Sequence, residues 1–112
     1  MIYKICTQNE WRHFRAAGQF TGSPDDLRDG FVHLSDGTQV ARTVAKFFTG
    51  RTDLVLLAID PARLGDGLCW ESSASGSLYP HFYGPLPLAA VAASAPLPVG
   101  PDGRHILPPE LG

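Results

Sequence analysis

The chain has 112 residues, of which 44% are hydrophobic and 18% charged, with a formal net charge of -2. That length suits one ordinary domain, and the composition excludes both intrinsic disorder and a supercharged surface. The charge balance gives no electrostatic reason to bind nucleic acid, because neutralising phosphates takes a basic face.

The predicted elements begin with a strand over Ile2 to Cys6, where β-favouring residues alternate. Thr7, followed three residues later by Glu10, has the pattern of a capping box, so a short helix should run to Ala17. Trp11 and Phe14 would lie on its inner face, and Gly18 would stop it. Thr21 to Gly30 reads as a loop with room for one helical turn at Pro24 to Arg28. Phe31 to Leu34 reads as a short strand. Ser35 and Asp36 are then two N-cap candidates, with Gln39 three residues after Asp36. The second helix is expected to reach Phe48 and to bury Val40, Val44, Phe47 and Phe48.

Asp53 to Ile59 is nearly continuous in apolar residues, which predicts a central strand covered on both faces. Leu68 to Glu71 is a further strand, and Val91 to Ser94 has strand character. From Pro96 the period is lost. Residues 1–98 therefore read as the domain, and residues 99–112 as an irregular Pro/Gly-rich tail docked through Ile106 and Leu107. The fold class expected is α+β: a small mixed or antiparallel split sheet with two helices packed on it.

Cys6 and Cys69 both lie in apolar runs and read as buried free thiols, too far apart for a CxxC motif. The four histidines form no metal-ligand spacing, so no metal is expected. The N-terminus has no signal-peptide pattern, and no apolar run approaches the roughly 20 residues that span a bilayer. The expectation is a cytoplasmic protein with no membrane partner.

Three stretches carry polar residues in places where chemistry is at home. In Phe31-Val32-His33-Leu34-Ser35, alternation sets Phe31, His33 and Ser35 on one face. His33 is there either a ligand-facing imidazole or a core histidine bonded to a carbonyl, with Ser35 a ligand contact or a simple cap. In Leu68-Cys69-Trp70-Glu71, Glu71 is either a carboxylate aimed at a ligand or a solvated strand end. In Tyr79-Pro80-His81-Phe82-Tyr83-Gly84-Pro85, His81 and Tyr83 share one face and Phe82 takes the other. The prolines stiffen this segment, which suits either stacking on a flat ring or filling a core.

In three motifs, Gly30-Phe31-Val32-His33-Leu34-Ser35, Trp70-Glu71 and Pro80-His81-Phe82-Tyr83-Gly84-Pro85-Leu86, and in the central strand ending Ile59-Asp60-Pro61 and the closing Val91, the chain resembles a small bacterial family. It is the one catalogued as a domain of unknown function, number nine hundred and fifty-two. The resemblance runs from Ile2 to about Pro98. That family is grouped by distant similarity with the ADP-ribosyltransferase fold, in which a split sheet holds NAD in a cleft.

The resemblance implies NAD as the ligand, a small-molecule nucleotide as the partner, and ADP-ribosyl transfer or related nucleotide processing as the activity. It makes His33 the first-motif residue at the adenosine-side ribose and Ser35 its companion. Tyr83 or Phe82 becomes an aromatic wall, and Glu71 or His81 the polar group near the reacting ribose. The usual paired Glu of catalytic members (ExE or QxE) is absent from this sequence. The alternative reading is a non-catalytic ligand-binding or protein-interaction domain.

Overall fold

The computed structural model describes residues 1–111 and is α+β, with three α-helices and antiparallel sheets. Gly112, the last residue of the predicted tail, lies outside the described residues.

Strand β1 (Ile2–Thr7) leads into helix α1 (Gln8–Ala17), and the expected capping box closes between Thr7 and Glu10. Gly18 ends α1 at φ 79°, in the left-handed region that glycine adopts without steric cost. Strand β2 (Gln19–Phe20) follows, then helix α2 (Pro24–Asp29). The helical turn expected at Pro24 to Arg28 is thus present as a short helix that runs one residue further. A second capping box starts it, formed by Ser23 and Asp26, with Pro24 at its first position.

Strand β3 (Val32–His33) and strand β4 (Ser35–Asp36) are consecutive but belong to different sheets. Helix α3 (Val40–Phe47) begins one turn after the predicted caps. Asp36 and Gln39 nonetheless exchange reciprocal bonds: each side chain accepts from the other's backbone N–H at 3.0 Å. The remaining strands are β5 (Leu54–Ile59), β6 (Leu68–Ser72), β7 (Leu78–Phe82), β8 (Leu86–Pro87) and β9 (Val91–Pro96).

The larger sheet has the order β4-β1-β5-β9. Every pairing in it is antiparallel, and β5 is central as its apolar run predicts. Val55, Leu57 and Ile59 point from β5 into one cluster with Phe14, Val32, Phe82 and Leu86. Leu54 and Leu56 point the other way, onto Val40 and Val44 of α3 and onto Leu97. Burying each of these side chains contributes about 1.5–3 kcal/mol, which is why a strand with two covered faces reads as an unbroken apolar run.

The predicted inner face of α3 holds at Val40 and Val44, and Phe48 just past its end packs on the same cluster, whereas Phe47 is 65% exposed. In the tail Leu107 and Leu111 pack on the second cluster, while Ile106 points to solvent. No helix among the described residues is long and apolar enough to cross a membrane.

Beside the two-stranded pair β2-β8, a three-stranded sheet, β3-β7-β6, positions the site. Val32 and Phe82 are direct partners and anchor one face in the core. His33 pairs with His81, and His81 with Cys69, so this row lies on the opposite, open face.

Candidate functional site

Phe31 is the hub of the open face. Its ring stacks on His81 at 4.0 Å between centroids and 20° between planes, and lies 4.6 Å from His33 and 5.4 Å from Tyr83. Alternation puts Phe31 beside His33, yet Phe31 is absent from the predicted set of site residues.

Glu71 organises one side of the cluster. Its Oε1 accepts from His81 Nδ1 and from the Tyr83 hydroxyl, both at 2.8 Å, and its Oε2 lies 3.1 Å from the same hydroxyl. The bond from His81, then that from Tyr83, holds the Glu71 carboxyl below the ordinary glutamate range. The Tyr83 phenol is pushed up, first by its bond to Glu71, then by desolvation, and in smaller measure by the charges of Glu71 and Cys69. With Nδ1 committed to the carboxylate, His81 is oriented, and Nε2 is the nitrogen left for proton exchange.

His33 is held on the other side by α2. Its Nδ1 donates to Asp26 Oδ1 at 2.6 Å, and its Nε2 lies 3.0 Å from Asp29 Oδ2. The resemblance assigns His33 to a ribose. With both ring nitrogens facing carboxylates, a ligand hydroxyl reaches Nε2 only by displacing Asp29.

Beneath His33 runs a buried network that sequence reasoning missed. Lys4, 4% exposed, donates to Asp26 Oδ2 at 2.9 Å and to the His33 carbonyl at 3.1 Å. Burial alone would raise the Asp26 carboxyl. The hydrogen bond from His33 and the charge of Lys4 outweigh that and hold it far below the usual carboxylate range. A signal for Lys4 was present: it falls between Ile2 and Cys6 on the inward face of β1. Asp26 gives none, because a capping aspartate in a polar stretch looks like any other.

Two predicted site residues lie elsewhere. Ser35 is 3% exposed, and its hydroxyl shares a hydrogen bond with Thr43 of α3 at 3.2 Å. Alternation from His33 fails there because the chain leaves one sheet after β3 and joins the other at β4. Phe82 belongs to the core, on the face opposite His81, so it is no wall of the site. Conversely Cys69, expected to be buried, is an exposed free thiol, because β6 is an edge strand and this face is open. Cys6 is free and buried as expected.

Next to the cluster lies a cavity of about 240 Å³ between α2 and the Gly84–Pro85 turn, with Phe31 and Asp26 on its wall. No group of His, Cys, Asp and Glu among the described residues is arranged to hold a metal ion.

Fold and site together define a small antiparallel α+β domain that displays an imidazole–carboxylate–phenol cluster around one aromatic ring. The chain belongs to the family described as "Protein of unknown function (DUF952)", which matches residues 5–94. It is similar to protein CC0527 from Caulobacter crescentus. The crystal structure of that protein is 45% identical, with a TM-score of 0.92, over 98% of this chain and 96% of that one. A double mutant of CC0527 gives 44% identity and a TM-score of 0.91 over the same shares. Its solution NMR structure gives 47% and 0.82, over 92% of this chain and 89% of that one. No curated protein matches the chain.

Proposed function

We propose that the open face of β3-β7-β6 binds the ribosyl end of an NAD-type nucleotide and promotes cleavage of its bond to nicotinamide, as in ADP-ribosyl transfer or related nucleotide processing. The observation that carries this reading is the position of Glu71: ionised, at the edge of an aromatic face, and fixed by His81 and Tyr83.

Breaking a nicotinamide–ribose bond builds up positive charge at the sugar, and a fixed carboxylate stabilises that charge without having to reorganise. His81 covers one face of the Phe31 ring, and Phe31 also stands on the wall of the adjoining cavity, which gives a flat ring somewhere to sit. The distant grouping of the family that the three motifs resemble with an NAD-binding fold points to the same ligand class.

A second reading has its own observation. Both oxygens of Glu71 already accept hydrogen bonds from within the protein, which suits a binding site that performs no chemistry.

The test is an NMR titration of labelled protein with NAD and, separately, ADP-ribose, with nicotinamide release followed in parallel. Shifts centred on Phe31, His33, Glu71 and His81 to Tyr83, accompanied by release, are expected. Shifts without release would favour the binding reading. No shifts with ligand at about 1 mM, the weak end of specific affinity, would sink both.

A further inference from the structure

Cys69 stands in the middle of the cluster, and no contact described above uses it. Across β6 and β7 it is the direct partner of His81, while Glu71 pairs with Tyr79 one row along. On the other side, the Tyr83 N–H donates to the Gly67 carbonyl at 2.8 Å. Cys69 and Glu71 share a face of β6, and Gly67 lies in the short 3-10 turn just before it. The bond from the Tyr83 hydroxyl to Glu71 therefore spans the row that holds Cys69 and His81. Direct antiparallel partners have Cβ atoms about 4.5–5.5 Å apart, which sets the Cys69 and His81 side chains next to each other on the open face. The thiol is exposed, and His81 is oriented by a carboxylate through Nδ1.

We propose that Cys69 is a nucleophile of this site, with His81 as its base and with Glu71 and Tyr83 positioning that base. The substrate class is a carbon electrophile bearing a good leaving group. In the step, the thiol proton passes to His81 Nε2 and the sulfur forms a bond to the carbon. The bond from that carbon to the leaving group breaks, and the leaving group departs with the electron pair. On an NAD-type nucleotide the carbon is the anomeric carbon of the nicotinamide ribose, and neutral nicotinamide departs. This choice of substrate, and nothing else in the proposal, rests on the function proposed above.

Iodoacetamide at neutral pH is the first probe, with the alkylated cysteine identified by peptide mass. Cys6 serves as the internal control for unfolding, since burial pushes its thiol up to about 12. Cys69 should be alkylated selectively. His81→Ala should slow the reaction at least about tenfold, and added imidazole should restore it, as expected when a general base has been removed. His81→Gln, which keeps more of the side-chain volume, should be equally slow. Equal rates in wild type and both variants would overturn the proposal.

The second probe is NAD. An ADP-ribosyl mass on Cys69, or nicotinamide release that is lost in Cys69→Ser, supports the proposal with that substrate. Undiminished release in Cys69→Ser, with no adduct, overturns Cys69 as the nucleophile and leaves the proposed function standing. His81-dependent alkylation without any response to NAD keeps the nucleophile and removes the NAD reading.

Discussion

One oxygen of Asp26 holds His33 twice, accepting its backbone N–H at 3.0 Å and its ring Nδ1 at 2.6 Å. The other oxygen accepts from Lys4 Nζ and from the Ser23 N–H, each at 2.9 Å. The carboxylate that starts α2 is therefore the same one that fixes the site histidine to the core. Asp26→Asn would leave the Lys4 ammonium buried without an anion. Breaking a buried pair from one side costs about 3–5 kcal/mol. Urea unfolding should show a loss of that order, and Lys4→Met in the same chain should recover much of it. An Asp26→Asn protein as stable as wild type would show that the network contributes nothing.

The pH dependence follows from the same group. The folded-state pKa of Asp26 is depressed, so the unfolded chain binds the extra proton first as pH falls. The stability that Asp26 contributes is complete above its unfolded value of about 3.9, and it is lost as pH drops through the lower folded value. Urea midpoints should therefore fall steeply below about pH 4 in wild type and less steeply in Asp26→Asn. Parallel curves would remove Asp26 as the cause.

The part of the site legible in the sequence is the part set by strand alternation. His81 and Tyr83 share a face, Phe82 opposes them, and Glu71 shares a face with Cys69 on its own strand, all from a period of two. The same rule misplaces Ser35, because alternation assumes one continuous sheet and the chain changes sheets after Leu34. Cys69 looked buried because its apolar neighbours signal a strand, while edge position depends on pairing order, which is non-local. Lys4, Asp26 and His33 meet from three separate segments, and no local pattern couples them. The fold was legible where a strand or helix is amphipathic or doubly buried, as in β5 and α1. It was legible only as one helical turn in α2, whose polar, glycine-flanked sequence resembles a loop.

The ionisation of Glu71 should respond to its two donors in a fixed order. Its carboxyl is held low first by His81 and then by Tyr83. Tyr83→Phe should raise the Glu71 titration toward the ordinary range. His81→Phe, which keeps a ring against Phe31, should raise it further. Carbon-detected NMR of the Glu71 carboxyl reads both, and an unchanged titration in both variants would mean that neither bond persists in solution.

Phe31 should matter for binding far more than for folding, since its ring is only half-buried and its neighbours are site residues. Stacking of a base on an aromatic side chain contributes about 1–3 kcal/mol, so Phe31→Leu should weaken nucleotide affinity about fivefold to hundredfold. The NMR titration gives the affinity and urea unfolding the stability. If Phe31→Leu bound as tightly as wild type, the ligand would not be stacking on this ring.

Gly67 tests whether the close approach of the turn before β6 to Tyr83, just after β7, sets the site geometry. A Cβ at this position would lie 2.5 Å from the Tyr83 carbonyl oxygen and 2.9 Å from Phe82 Cε1. The first neighbour is backbone and cannot rotate away, so Gly67→Ala must push the turn before β6 from the backbone that follows β7. Overpacking of this kind costs about 1–3 kcal/mol. The displacement also moves the Tyr83 backbone that aims the phenol at Glu71. Gly76→Ala is the matched comparison: its φ of 88° makes alanine strained, but nothing lies within 4 Å of the added carbon. Both variants should lose stability in urea unfolding, and Gly67→Ala alone should release the Glu71 titration from its low position. If Gly67→Ala kept both wild-type stability and the low Glu71 titration, the tight packing of the Gly67 and Tyr83 backbones would not be what holds the cluster together.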